Sequence, residues 1–334
     1  MRSRKMRCLH VGLVICLWAG VGAAQNAWQS LAAGPAEADL SAVFFVESKY
    51  GWIAGDSGFI SRTEDGGKTW AAQKSTTSAT INDVFFLNKT EGYFLAGSGI
   101  WATSDGGQTW ANRYVSKPQE FGATSAELYS IRFSNKKKGW AVGSLSVNEK
   151  RKDEMVEKVV DSLLLRTEDG GQTWKRWRVP VTDELIHLDL SGEKRAWIVG
   201  ANGVIIHTDN GGESWRLQRA NTKSTLYHVD FRNEKNGFVV GQRGALFRTL
   251  DGGETWIPVL LPVSNTLLSV TIVNEDETWA IGRGGVILQT IDGGVTWTAQ
   301  NSLTKNNLYA LYFDKKIGCA VGANGLLLQY ARKN

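Results

Sequence analysis

Few residues in this chain carry the chemistry of an enzyme, a metal site or a disulfide scaffold. Its 334 residues hold only three cysteines, four histidines and five prolines. Cys8 and Cys16 lie near the start; if they depart with a leader, Cys319 remains alone and no internal disulfide can form. The setting of Cys319, GCAVG, reads as a strand, which makes the thiol a small buried hydrophobe rather than a reactive group. CxxC metal spacing is absent, as are a nucleophile elbow and a glycine-rich phosphate loop opening a helix. Acid is missing before Glu37, whereas Arg2, Arg4, Lys5 and Arg7 all fall in the first seven residues. Without those four, 34 basic residues face 33 acidic ones, so four of the five net positive charges belong to the N-terminus. The near-neutral remainder points to neither nucleic acid nor a membrane surface as partner.

That basic start leads into an apolar stretch, Leu9 to Ala19, and a small-residue end, Gly22-Ala23-Ala24. This is the layout of a signal peptide over residues 1–24. The stretch is too short to span a bilayer comfortably, and Ile15 directly before Cys16 is a poor setting for lipid attachment. The expectation is a soluble exported protein over residues 25–334, periplasmic, and not transmembrane once the signal is removed.

What the chain does have is repetition. TEDGGKTW at Thr63 recurs as TSDGGQTW at Thr103, TEDGGQTW at Thr167, TDNGGESW at Thr208, TLDGGETW at Thr249 and TIDGGVTW at Thr290. Ahead of each lies a second motif, GWIAGDSG at Gly51 being the first, and a seventh copy at Gly318, GCAVGANG, has no octapeptide after it. Ahead of that comes an alternating run, such as LSAVFF at Leu40, LYHVDF at Leu226 and LYALYF at Leu308. Alternation bounded by Gly, Asn and Asp reads as short antiparallel strands. Four strands per repeat, seven times over, predict an all-β, seven-bladed β-propeller. The last unit lacks its outer strand; Ala27-Trp28-Gln29-Ser30-Leu31 resembles the other outer strands, so residues 26–32 are expected to complete the last blade and protect its edge.

The octapeptide reads as a hairpin turn. Its carboxylate accepts backbone N–H groups, its glycines supply positive φ, and its tryptophan packs on the sheet. On this reading Asp65, Asp105, Asp169, Asn210, Asp251 and Asp292, with Trp70, Trp110, Trp174, Trp215, Trp256 and Trp297, are structural. A catalytic or calcium role for the acids is the competing reading. Repetition around a ring argues against it, as does Asn210, which accepts hydrogen bonds but is no carboxylate.

These octapeptides are Asp-boxes of the bacterial-neuraminidase repeat. Seven units joining GWxVGxxG to TxDGGxTW resemble the photosystem II stability/assembly factor family over residues 26–332. The resemblance implies a propeller in photosynthesis-related assembly that binds newly made membrane protein without enzymatic activity, in the thylakoid lumen where the host is photosynthetic. It implies a basic patch on one propeller face, for which Arg243 and Arg283 in adjacent GxxG turns are the best matches. No cofactor or metal is implied, and a single copy acting on a membrane or envelope partner is expected.

Three further features bear on function. The charged insertion 145–161, LSVNEKRKDEMVEKVVD, interrupts blade three; Met155, Val156, Val159 and Val160 recur at helix-like spacing, suggesting a short amphipathic helix or a flexible flap. His187 with Asp189, and His228 with Asp230, occupy matching inner-strand positions near the channel. Either they form a metal or acid–base site, or they make hydrogen bonds between blades, which their repetition in register favours. An Asp-box glycoside hydrolase or glycan-binding protein is an alternative, although no unrepeated carboxylate pair suits glycoside hydrolysis; an accessory subunit of an envelope transport complex is another.

Overall fold

The structure, a computed structural model, describes residues 28–32, 34–35, 37–151 and 154–332. The expected signal peptide lies outside the described residues. Seven four-stranded antiparallel sheets follow one another along the chain, with no long apolar helix among the described residues. Their inner strands are Leu40–Val46, Ile81–Phe86, Ser125–Phe133, Leu185–Ser191, Leu226–Phe231, Leu267–Ile272 and Leu308–Phe313. Second strands such as Gly92–Ala96 and Gly237–Gly241 are buried at every residue. Each is covered on both faces by neighbouring blades, which is why these strands read as continuous apolar runs rather than alternating ones. Outer strands such as Ala71–Lys74 are largely exposed.

The ring closes as expected. Trp28–Ala32 pairs antiparallel with Leu326–Tyr330, Trp28 standing opposite Tyr330 and Ala32 opposite Leu326, as the fourth strand of blade seven. The Trp28 ring meets Trp279 edge-on at 5.7 Å and Phe313 edge-on at 5.6 Å. It thereby fills the place that an Asp-box tryptophan takes elsewhere, as Trp110 does beside Phe86 at 5.9 Å.

Within the first Asp-box, Thr63 Oγ1 donates to Asp65 Oδ1 at 2.8 Å and accepts the Gly67 N–H at 2.9 Å. Asp65 Oδ1 also accepts the Thr69 N–H at 2.9 Å, and Oδ2 accepts the Thr69 hydroxyl at 2.6 Å. Gly66 and Gly67 have φ of 76° and 87°, the left-handed region where a side chain is strained. The hydrogen bonds from Thr69, Thr109, Thr173 and Thr296 hold the Asp65, Asp105, Asp169 and Asp292 carboxyls down at about 2. Asn210 reproduces the turn without a charge: its Oδ1 accepts from Thr208 and Ser214, and its Nδ2 donates to Ser214 Oγ at 2.8 Å.

The two motifs meet between blades. The indole N–H of Trp52 in blade one and the amide of Gln73 both donate to the carbonyl of Gly106, in the Asp-box of blade two, at 3.1 and 2.9 Å. Trp197 and Gln218 do the same to Gly252, Tyr93 to Gly170, and Gln329 to Gly66 across the closure. The Trp52 ring stacks on Phe86 at 3.4 Å, and Trp197 on Phe231 at 3.5 Å.

The described residues of insertion 145–161 form no helix. The second and third strands of blade three, Gly139–Arg151 and Glu154–Thr167, run on as one β-hairpin arm, paired from Gly139 opposite Thr167 to Arg151 opposite Glu154. The spacing of Met155, Val156, Val159 and Val160 fits a helix, but a strand already in register extends its hydrogen-bond ladder residue by residue, whereas a helix there would need a new nucleus.

Replacing Trp28 with alanine should cost about 3 kcal/mol or more and lower Tm by about 5–10 °C, whereas Gln29→Ala, exposed beside it, should leave Tm unchanged; thermal unfolding decides. A carboxyl depressed in the folded state adds stability above its ordinary value and loses it as pH falls toward 2. Asp65→Asn should therefore keep the turn at neutral pH, as Asn210 does, with its deficit against wild type narrowing in acid, while Asp65→Ala should cost about 1 kcal/mol at neutral pH. Equal losses for both variants in urea unfolding would refute this account of the turn.

Candidate functional site

Two surfaces concentrate polar chemistry: the central channel, and the disc face that carries the GxxG turns. Every inner strand carries a register shift that starts at a leucine or isoleucine, at the head of the strand in six blades, for example Leu185/His187, Leu226/His228 and Leu308/Ala310, and at Leu128/Ser130 within the longer strand of blade three. Such a bulge re-aims side chains. Here it turns residues that follow that leucine or isoleucine toward the axis, where Asn82, Tyr129, His187, Tyr227, His228 and Tyr309 help line a cavity of about 270 Å³.

His187 and His228 stack face to face at 3.6 Å. An Arg132 guanidinium nitrogen lies 3.0 Å from His187 Nε2, while its other nitrogen pairs with Asp83 Oδ2 at 2.6 Å. Burial drives both imidazoles toward the neutral form, His228 to about 3 and His187 well below its ordinary value, with His228 and then Arg132 adding to the effect on His187. The aspartates work across blades: Asp189 accepts the Phe231 N–H at 2.7 Å, Asp230 the Ile272 N–H at 2.6 Å, and Asp83 the Ile131 N–H at 2.9 Å. Each therefore satisfies the inner edge of the next blade, a row of donors that would otherwise face the channel unpaired. Burial raises both Asp189 and Asp230, and the Asp189 charge raises Asp230 further. Among the described residues no group of three or more His, Cys, Asp or Glu side chains stands placed to hold a metal ion.

On the turn face, Arg243 and Arg283 sit in neighbouring blades, both exposed. Arg243 has φ of 57°, the left-handed conformation that the corresponding turns give to Ser57, Asn202, Gly284 and Asn324. A long side chain held there costs about 1 kcal/mol relative to glycine. The Arg283 charge reaches Tyr309 at the channel mouth, opposing the upward push of burial on that hydroxyl. Two residues that sequence reasoning missed join them. Lys223 and Lys305 are exposed in connections leading to blades five and seven; their neighbours Thr222 and Thr304 press on the turn glycines Gly203 and Gly285. The four cations form an arc over blades four to seven, and the ion pairs of the described residues involve none of them. The signal was available in the sequence: each lysine lies in a connection that must return to this face.

Seven four-stranded blades stitched by Asp-box turns define a closed Asp-box β-propeller. The family described as photosynthesis system II assembly factor YCF48 matches residues 159–221, 213–301 and 262–331, and the chain belongs to that family. Among solved structures, YCF48 bound to D1 peptide has a TM-score of 0.73 at 20% identity, over 92% of this chain and 98% of that one. YCF48 from Cyanidioschyzon merolae gives 0.70 at 20%, over 91% and 98%. The GH74 xyloglucanase from Xanthomonas campestris gives 0.66 at 13%, over 91% of this chain and 53% of that one. At such identities the likeness is one of fold. No curated protein matches the sequence.

A carboxyl raised in the folded state contributes stability below its ordinary value and loses it as pH rises. Asp230→Asn, which keeps an oxygen for the Ile272 N–H, should gain stability relative to wild type between about pH 5 and about pH 9 in denaturant titrations. A constant difference across that range would show that the Asp230 carboxyl is not raised.

Proposed function

We propose that this protein is an exported, non-enzymatic assembly factor that holds a protein partner against its turn face, with Arg243 and Arg283 at the centre of the contact and Lys223 and Lys305 flanking them. The observation that carries this reading is the arc of exposed cations without ion-pair partners on one face of a YCF48-family propeller, with Arg243 kept in a conformation that costs a long side chain energy. Such a surface suits an acidic or carboxylate-bearing segment of the partner. The partner is a membrane or envelope protein, in keeping with the solved YCF48 bound to D1 peptide, a relative that holds a protein segment. Export rests on the layout of residues 1–24, and places the protein in the periplasm, or in the thylakoid lumen of a photosynthetic host.

The test is binding of the purified protein to synthetic acidic peptides and to detergent-solubilised membranes of its host. Arg243→Glu/Arg283→Glu should weaken capture at least about tenfold and flatten its salt dependence. Undiminished binding by that variant would rule out the basic face.

A glycoside hydrolase is the second reading, favoured by the fold likeness to the xyloglucanase. The Asp-box carboxylates are all engaged within their own turns. Release of sugar from xyloglucan oligosaccharides by the purified protein would establish the hydrolase and overturn the assembly-factor proposal.

A further inference from the structure

The blade-three arm leaves one of its edges open. Its inner edge is covered as far as Asn148, because Ser125 lies opposite Ser146, the Thr124 N–H donates to Ser146 O at 2.8 Å and the Asn148 N–H donates to Thr124 Oγ1 at 3.1 Å. On the other side, the fourth strand, Lys175–Trp177, pairs only with Leu164, Leu165 and Arg166. Residues 154–160 of the arm are exposed throughout, Met155 to 65% and Val156 to 36%. A strand with one edge unpaired presents a row of backbone donors and acceptors to any chain that can lie alongside it.

We propose that a second copy of this chain occupies that edge, the two arms pairing antiparallel about a two-fold axis to make one four-stranded sheet. Symmetry restricts the register. With the axis perpendicular to the sheet, opposed residues must point to the same side, so the axis passes through a residue and not between two. Centred on Glu157 or on Lys158, the pairing would set like charges against each other; centred on Val159, it would set Glu157 opposite Asp161. Centred on Val156, it brings Val156 against its own copy and Glu154 opposite Lys158 of the partner subunit, twice by symmetry. Of the axes through residues 156–159, this one alone opposes unlike charges and no like ones. Glu154, Val156 and Lys158 alternate along the strand and so share one face. The contact is small beside ordinary stable interfaces, so the dimer forms at micromolar concentrations and above. This departs from the single copy expected from sequence, and it does not depend on the basic face.

Sedimentation velocity of the purified protein over about 5 to about 500 μM tests it, with dimer growing with concentration as the expected result. Glu154→Lys should weaken association about tenfold, and Glu154→Lys/Lys158→Glu/Glu149→Lys should restore it, the third change keeping in reversed sense the pair that Lys158 makes with Glu149 inside the arm at 3.7 Å. Under oxidising conditions Val156→Cys should yield a covalent dimer and Met155→Cys should not, since residue 155 opposes residue 157 in this register; Cys319, fully buried, does not compete. A monomer at every concentration, a dimer indifferent to charge reversal, or equal crosslinking of the two cysteine variants would overturn the proposal.

Discussion

At four of the blade junctions a single carbonyl oxygen does much to hold the ring together. In the Asp-boxes of blades one, two, three and five the first glycine of the GG pair points its carbonyl back at the preceding blade, and Trp52, Gln73, Tyr93, Trp197, Gln218 and Gln329 reach for it. Those donors come from the second, third and outer strands of the preceding sheet, so the contact fixes both the rotation and the spacing of neighbouring blades. The octapeptide has to keep its glycines left-handed for that carbonyl to be presented at all. Its aspartate, tied up by five-residue-local hydrogen bonds, acts on the turn and through the turn on the junction. Blade seven has no Asp-box, and the junction there is rebuilt from other parts: Trp279 donates to Glu277, which Arg332 pairs at 3.0 Å, and Trp28 supplies the missing ring.

The blade number, the four-strand unit and the closing strand could all be read from the sequence because each repeats, and a repeat exposes its own exception: six octapeptides against seven units announced that Trp28 had to serve elsewhere. The junctions were not legible, since Trp52 and Gly106 lie 54 residues apart in different motifs and nothing in either motif names the other. The arm defeated a periodicity argument, because four apolar residues are too few to separate a helix from a strand whose partner is already in place. At the channel, alternation correctly put His187 and Asp189 on one face, but only the packed ring shows that the imidazole stacks on His228 while the carboxylate serves the next blade.

The same economy separates scaffolding from surface. Polar side chains in the Asp-boxes, and Asp83, Arg132, His187, Asp189 and Asp230 at the channel, are engaged by backbone groups or by one another, whereas His228 Nδ1 and Ser269 Oγ are buried there without a hydrogen-bond partner among the described residues. The turn face differs: Arg243 and Arg283 have no such engagement of their charged ends among the described ion pairs, and the surrounding connections vary in length and composition from blade to blade. Chemistry that is not repeated is where a repeat protein can hold something other than itself.

Blade seven joins three strands from residues 308–330 to one from residues 28–32, so it cannot exist until Leu326–Tyr330 has been made. The six preceding sheets are built from neighbouring residues and can form in sequence as the chain emerges. Throughout that period the strand beginning at Trp28 has no partner and the circle stays open. Completion of the molecule is thus signalled by its own geometry: a chain that stops before Leu326 keeps a loose first strand and an uncovered flank, the kind of surface by which chaperones and proteases tell an unfinished product from a finished one.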